Sequence, residues 1–133
     1  MKKFKRSRVI NRLKNLFSQI IRLRDNYTCQ RCGKKYDKID RAIHTSHIWP
    51  VGTYRSMRFE IDNAKLLCYY DHINWWHKNP MQAGAWVREF LGKEKYAKLL
   101  KMSQETILLN EQYFREKEEE LNEQLEYYKK RYE

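Results

Sequence analysis

All three cysteines and all four histidines of this 133-residue chain fall between Cys29 and His77. In chain order they are Cys29, Cys32, His44, His47, Cys68, His72 and His77, with Asn63 inside the same stretch. Thiolates and imidazoles are the donors that hold zinc and similar ions. A neutral imidazole is also the side chain best suited to act as a base near neutral pH. Gathering these groups in so short a segment points to a metal-dependent site. Cys29-x2-Cys32-Gly33-Lys34 has the form of a zinc knuckle, two thiolates on a tight turn that Gly33 relieves. Cys68 supplies a third thiolate from the far end of the segment. Two residues compete to be the fourth ligand: Asp71 through an oxygen, or His72 through a Cys68-x3-His72 pair. Structural zinc would add rigidity that a core of this size lacks. His44 reads as an exposed strand or loop histidine.

The charge around these residues suggests a partner. The chain carries 28 Lys and Arg against 17 Asp and Glu, a net charge of +11. Residues 103–133 hold five basic and nine acidic side chains, a net of −4, which leaves +15 on residues 1–102. Twelve of the first 35 residues are Lys or Arg, and Asp25 is the one acid among them. Such a block favours a polyanion, because Lys and Arg release counterions from phosphates. No run of about 18 apolar residues is present to span a membrane. Charges break up the apolar residues behind the basic N-terminus, so no signal-peptide core is evident. An odd number of cysteines without an export signal implies reduced thiols and a cytoplasmic location.

The elements that must position these residues follow from periodicity. Val9, Ile10, Leu13, Leu16, Phe17, Ile20 and Ile21 recur at three- and four-residue steps, predicting an amphipathic helix that stops near Asp25-Asn26. From Ala42 to Leu67, β-favouring residues interrupted by Pro50, Gly52 and Asp62-Asn63 predict two short strands and an irregular loop. A short helix is expected over 69–78. Asn79 as N-cap and Pro80 at the first helical position begin the next, which ends at Gly92. Beyond Ser103 the chain is Glu-rich, with Ile107, Phe114, Leu121 and Tyr128 spaced by seven and Leu125 and Tyr132 reinforcing the seam. This predicts a long acidic helix over 103–133, docked on its own domain or offered to a protein partner or a second copy. The domain reading is a basic arm over 1–12 (Lys2, Lys3, Lys5, Arg6, Arg8), a core over 13–102 and the acidic helix. Trp49, Trp75, Trp76 and Trp86 are expected to pack the core.

Ser46-His47-Ile48-Trp49-Pro50, then Asn63, then Leu67-Cys68-x3-His72, follow the His, Asn, His order of a ββα-metal motif. His47 and Asn63 are sixteen apart, and Asn63 and His72 nine. With the Leu16-to-Asp25 segment, the Cys-x2-Cys-Gly and Trp75-Trp76-His77-Lys78-Asn79-Pro80, the chain resembles HNH endonucleases, of the phage and prophage NinG-like recombination nuclease type. The resemblance covers about residues 13–100 and leaves out the C-terminal helix.

The resemblance implies an α+β fold: a small zinc-stapled ββα-metal core flanked by helices. It implies hydrolysis of DNA phosphodiester bonds with low sequence specificity, by a protein of a phage or prophage acting in the bacterial cytoplasm. His47 would be the general base and Asn63 would hold the loop that carries it. His72, with His77, would ligate a catalytic divalent ion (Mg2+, Mn2+, Ni2+ or Zn2+). Arg58 would contact a phosphate, and Cys29, Cys32 and Cys68 would hold structural Zn2+, with Asp71 standing at the fourth-ligand position where the usual pattern, Cys-x2-Cys-His, has a cysteine. Two further departures stand out. Ser46 occupies the position before His47, where a metal-binding Asp or His is common. His72 and His77 are five apart, about 140° out of phase on an α-helix, so they share an ion only if the helix is distorted. A one-residue insertion would also explain the spacing, moving His72 to the zinc and leaving Asn74 or His77 for the other ion. The alternative reading is a non-catalytic, zinc-containing nucleic-acid-binding accessory protein of recombination or packaging. A protein-interaction module using the acidic helix is a third.

Overall fold

The computed structural model describes residues 3–132, the Tyr132 side chain excepted. Lys2 of the basic run and the side chain of Tyr132 of the apolar seam therefore lie outside what the structure describes. Helix α1 runs Arg6–Arg24 and buries Val9, Leu13, Phe17, Ile20 and Ile21, the stripe that the periodicity predicts. It begins within the stretch read as a basic arm, so Arg6, Arg8 and Arg12 project from a helix. The helix ends at Asp25, where Asn26 and Tyr27 both take left-handed backbone angles, φ 53 and 52. Asn adopts this conformation readily, whereas for Tyr it costs about 1 kcal/mol or more. The turn lets the Tyr27 amide reach back to the Arg22 carbonyl at 2.9 Å.

That turn is fastened to the sheet by a buried clamp. Arg24 donates to both oxygens of the Asp25 carboxylate, at 2.8 and 3.0 Å. Asp25 also accepts the Leu66 amide at 2.9 Å, and Arg24 donates to the Ala64 carbonyl at 2.7 Å. The sheet consists of two antiparallel strands, β1 Ile43–His47 and β2 Ala64–Cys68. Ile43 lies opposite Cys68, Ser46 opposite Lys65 and His47 opposite Ala64. Because side chains alternate along a strand, the sheet has two distinct faces. Thr45 and His47 meet Ser18 and Phe17 of α1, and Ile43, Ala64 and Leu66 join the same core. His44, Ser46, Lys65 and Leu67 turn the other way.

A π-helical segment, Asp71–Trp76, follows β2. Helix α2, Pro80–Leu91, starts after Asn79 with Pro80 in its first turn and ends at Gly92, whose φ of 81 suits glycine. Helix α3 spans Lys93–Ser103. The architecture is α+β, helices around a small two-stranded sheet.

The long C-terminal helix α4 spans Glu111–Tyr132, eight residues later than the expected start. Asn110 determines the difference: its side chain accepts the Tyr113 amide at 2.9 Å, which is an N-cap. Ile107 therefore stays outside the helix and is partly exposed. Phe114, Leu121 and Leu125 are buried in one cluster with Val9, Leu13 and Phe17, so the heptad seam packs on α1 within the same chain. Lys117, also buried, donates to Glu60 and Glu120, both at 2.8 Å, and ties α4 to the loop between the strands. Among the described residues, no helix is long and apolar enough to cross a membrane.

Candidate metal centre and histidine cluster

The knuckle forms as its spacing predicts. Gly33 takes φ 80, which allows its amide to reach the Cys29 carbonyl at 2.9 Å and the Cys29 amide to reach Lys34. The end of β2 and the first turn of the π-helical segment then bring Cys68 and Asp71 to the two knuckle cysteines. The donor atoms of Cys29, Cys32, Cys68 and Asp71 all lie within 4.8 Å of one another. Among the described residues they are the one group of three or more metal-ligating side chains that converges so closely. Cys32 Sγ and Cys68 Sγ are 3.9 Å apart, and Asp71 Oδ2 is 3.1 Å from Cys29 Sγ and 3.3 Å from Cys68 Sγ. Tetrahedral zinc, with bonds of about 2.3 Å to sulfur and 2.0 Å to oxygen, gives edges of roughly 3.8 Å between sulfurs and 3.5 Å from sulfur to oxygen. Three cysteines and one aspartate could therefore bind an ion such as zinc with little movement. Of the two candidates for fourth ligand, Asp71 joins the group and His72 turns away from it.

The protonation pattern suits an ion. Burial pushes the Cys29 thiol up to about 12 and raises Cys68 as well. Burial alone would raise Asp71, yet donors from Cys29, Arg31 and Cys68 hold its carboxyl below the usual range. The raised Cys29 and Cys68 thiols thus face one carboxylate, and a divalent cation would take the place of their protons. Arg31 donates to the outer oxygen, Asp71 Oδ1, at 2.8 Å and lies 4.0 Å over the Trp75 ring.

The second group lies on the opposite side of the same helical segment. In an α-helix His72 and His77 would diverge, but a π-helix closes its hydrogen bonds five residues apart. The two rings consequently lie 4.7 Å apart, edge to face. The helix carries the distortion that sharing an ion would require. His72 Nδ1 is 3.1 Å from Ser46 Oγ, and its ring stacks at 5.3 Å on His44. Burial, then the charges of His77, His44 and Lys65, push His72 down to about 4. The ring is therefore neutral at pH 7, with a lone pair to offer.

His47 sits at the end of β1, its ring stacked 5.5 Å from Phe17. Its Nε2 is 2.9 Å from the Arg58 carbonyl. A carbonyl can only accept, so Nε2 carries the proton and Nδ1 holds the lone pair. Burial lowers the pKa of His47, and the charges of Lys65 and Arg58 add to the effect. Asn63 is fully buried and braces the loop that supplies this carbonyl. It accepts the Trp49 amide at 2.8 Å and donates to the Trp49 and Met57 carbonyls at 3.2 and 3.1 Å. The Arg58 side chain is half-buried beside Phe59 and lines one cavity with Arg6 and Arg55.

Sequence reasoning missed Lys65. It is fully buried on β2 opposite Ser46, donates to Ser46 Oγ at 3.1 Å, and has its ammonium over the Trp76 ring. Burial lowers its pKa well below the ordinary lysine value. A lysine within Ala64-Lys65-Leu66-Leu67-Cys68 was the available signal, since such a residue must point either to solvent or to a polar cluster. The tryptophans largely pack, as expected: Trp75 is buried and meets Trp86 edge to face at 5.5 Å. No protein-family model matches the chain, and no match emerges among curated proteins or solved structures.

Proposed function

We propose that the chain is a metal-dependent endonuclease that hydrolyses DNA phosphodiester bonds, with His47 as general base. The observation that carries this reading is the fixed tautomer of His47. Its proton is committed to the Arg58 carbonyl, so Nδ1 is a neutral base, and the adjoining Ser46 contacts His72 of the paired imidazoles. Nδ1 would take a proton from the attacking water. Asn63 is a positioning residue that keeps the Arg58 carbonyl, and through it the ring, in place. His72 and His77 would hold one divalent ion, and the neutral His72 ring with the His77 ring adjacent fits that role. Such an ion supplies positive charge for the phosphate and the departing 3′ oxygen. Arg58, with Arg6 and Arg55, would bind flanking phosphates, consistent with the net charge of +11. Zinc on Cys29, Cys32, Cys68 and Asp71 would fix the start of the helical segment that carries His72. Among the described residues no helix offers an evident base-reading face, so low sequence specificity is expected, as is a role in phage or prophage DNA processing.

One observation favours a second reading, a non-catalytic nucleic-acid-binding accessory protein. Ser46 stands where an anionic ligand would help, and the Lys65 ammonium beside it opposes a divalent ion. Incubating supercoiled plasmid with Mg2+, Mn2+ or Ni2+ separates the two. The nuclease reading expects nicking by the wild type that His47→Ala largely abolishes. Equal background cutting by both proteins, with DNA binding retained, would leave the accessory reading standing.

A further inference from the structure

We infer that an aromatic-lined cavity beside the proposed site holds a single unpaired nucleobase. This rests on the reading of the chain as a protein that acts on nucleic acid, and adds a base site to the phosphate contacts assigned above. The cavity measures about 530 Å3 and lies between the loop that leaves β1, the π-helical segment and helices α2 and α3. That volume falls within the range of small-molecule pockets, about 300–1,000 Å3.

The first argument is the lining. Trp49, Tyr54, Trp76 and Tyr96 all border the cavity, and all four are only half-buried. Trp75, by contrast, is buried and packs on Trp86. Two of the four rings are fixed by groups already described. Asn63 grips the Trp49 backbone through its amide and carbonyl, and the Lys65 ammonium lies over the Trp76 ring. Trp49 and Tyr96 lie 5.9 Å apart, inclined by 40°. Base stacking uses such a surface, and it tolerates any base because every base has a π-face. A low sequence specificity is therefore kept.

The second argument is a glycine. Gly84 lines the cavity from the middle of α2, although glycine weakens a helix interior relative to alanine. Close packing does not demand it, because a Cβ added at Gly84 would meet nothing within 4 Å. The missing side chain leaves open volume at the cavity wall, where a planar group can enter.

The third argument is charge. No carboxylate lines the cavity, and Arg88 of α2 borders it with its guanidinium 5.3 Å from the Tyr96 ring. Among the described residues Arg88 makes no ion pair. An apolar peptide has no use for this cation, whereas a nucleotide brings a phosphate with its base. Trp49 is two residues from His47, and Trp76 adjoins His77. A base in the cavity therefore belongs to a nucleotide close to the phosphate proposed to be cut.

The test uses zinc-loaded protein with no other metal added, so that the strand stays intact, and reads binding by fluorescence anisotropy. The probes are a labelled oligothymidylate of about 12 nucleotides and an abasic strand of equal length and charge. Wild type should bind the oligothymidylate at least about tenfold more tightly than the abasic strand. Gly84→Leu fills the wall with a better helix former. It should lower oligothymidylate affinity by about tenfold and leave abasic binding and the circular dichroism spectrum unchanged. Tyr96→Ala should do the same, and Tyr96→Phe should not. Equal affinity of the wild type for both strands would overturn the inference and leave the cavity to an apolar partner. So would Gly84→Leu binding the oligothymidylate as the wild type does. If Gly84→Leu fails to fold, the Tyr96 pair decides in its place. Cutting is scored apart: base-dependent binding without metal-dependent cutting keeps the cavity and removes the nuclease reading, and cutting with base-independent binding does the reverse.

Discussion

Replacing Asn63 tests the link between loop architecture and the candidate base. Asn63→Ala removes three hydrogen bonds, to the Trp49 amide, the Trp49 carbonyl and the Met57 carbonyl. At about 1 kcal/mol net for each, the loss is about 3 kcal/mol. For a chain of this size that corresponds to a fall of roughly 10 °C in melting temperature. Asn63→Asp is the sharper control. It keeps an acceptor for the Trp49 amide, but its second oxygen cannot donate to either carbonyl, and it places an anion at a position with 0% exposure. It should lose at least as much stability. Urea unfolding followed by tryptophan fluorescence measures both variants. Because Met57 adjoins Arg58, whose carbonyl holds His47, DNA cleavage at a temperature where both variants remain folded should fall as well. A stability change within about 0.5 kcal/mol, as for an ordinary surface substitution, would refute the bracing role.

Other outcomes follow from the same geometry. Asp71→Ala should lose tightly bound zinc while Asp71→Cys retains it, as read by metal analysis after gel filtration; equal zinc in wild type and Asp71→Ala would remove Asp71 from the ligand set. Strong chelation should lower the melting temperature, since ion binding and folding are coupled through the knuckle. Lowering the pKa of His47 by burial keeps its base form populated at more acidic pH. The cleavage rate should therefore rise with pH through an apparent pKa below 6.5 and level off above it; an acid limb centred above 6.5 would contradict this. Leu121 is fully buried between α4 and α1, so Leu121→Ala should cost about 2–5 kcal/mol in urea unfolding.

What could be read from the sequence depended on how local the governing interactions are. The knuckle was legible because Cys-x2-Cys-Gly is defined over five residues and Gly33 performs the turn its position suggests. Helix α1 and the two strands were legible from periodicity, and α2 from Asn79, Pro80 and Gly92. The choice between Asp71 and His72 was not, because it turns on a π-helical register after β2, where one extra residue per turn swings each side chain to a new direction. The contact of its Trp76 ring with Lys65 of β2, not the local sequence, accompanies that register. Lys65 itself was hidden because all five residues of β2 are buried, which erases the alternation that would have assigned it a face. The start of α4 was missed because Asn110 is one of several capping residues between Ser103 and Glu111, and only its contact with Tyr113 selects it.

Single-turnover cutting of an end-labelled DNA duplex by the zinc-loaded protein, with added Ni2+ or Mn2+, tests hydrolysis at His47 most directly. The account predicts 5′-phosphate and 3′-hydroxyl ends. It also predicts a rate in His47→Ala lower by about a hundredfold or more, partly restored by free imidazole, with DNA affinity unchanged. Cutting by His47→Ala at the wild-type rate, or no metal-dependent cutting by the wild type, would contradict it.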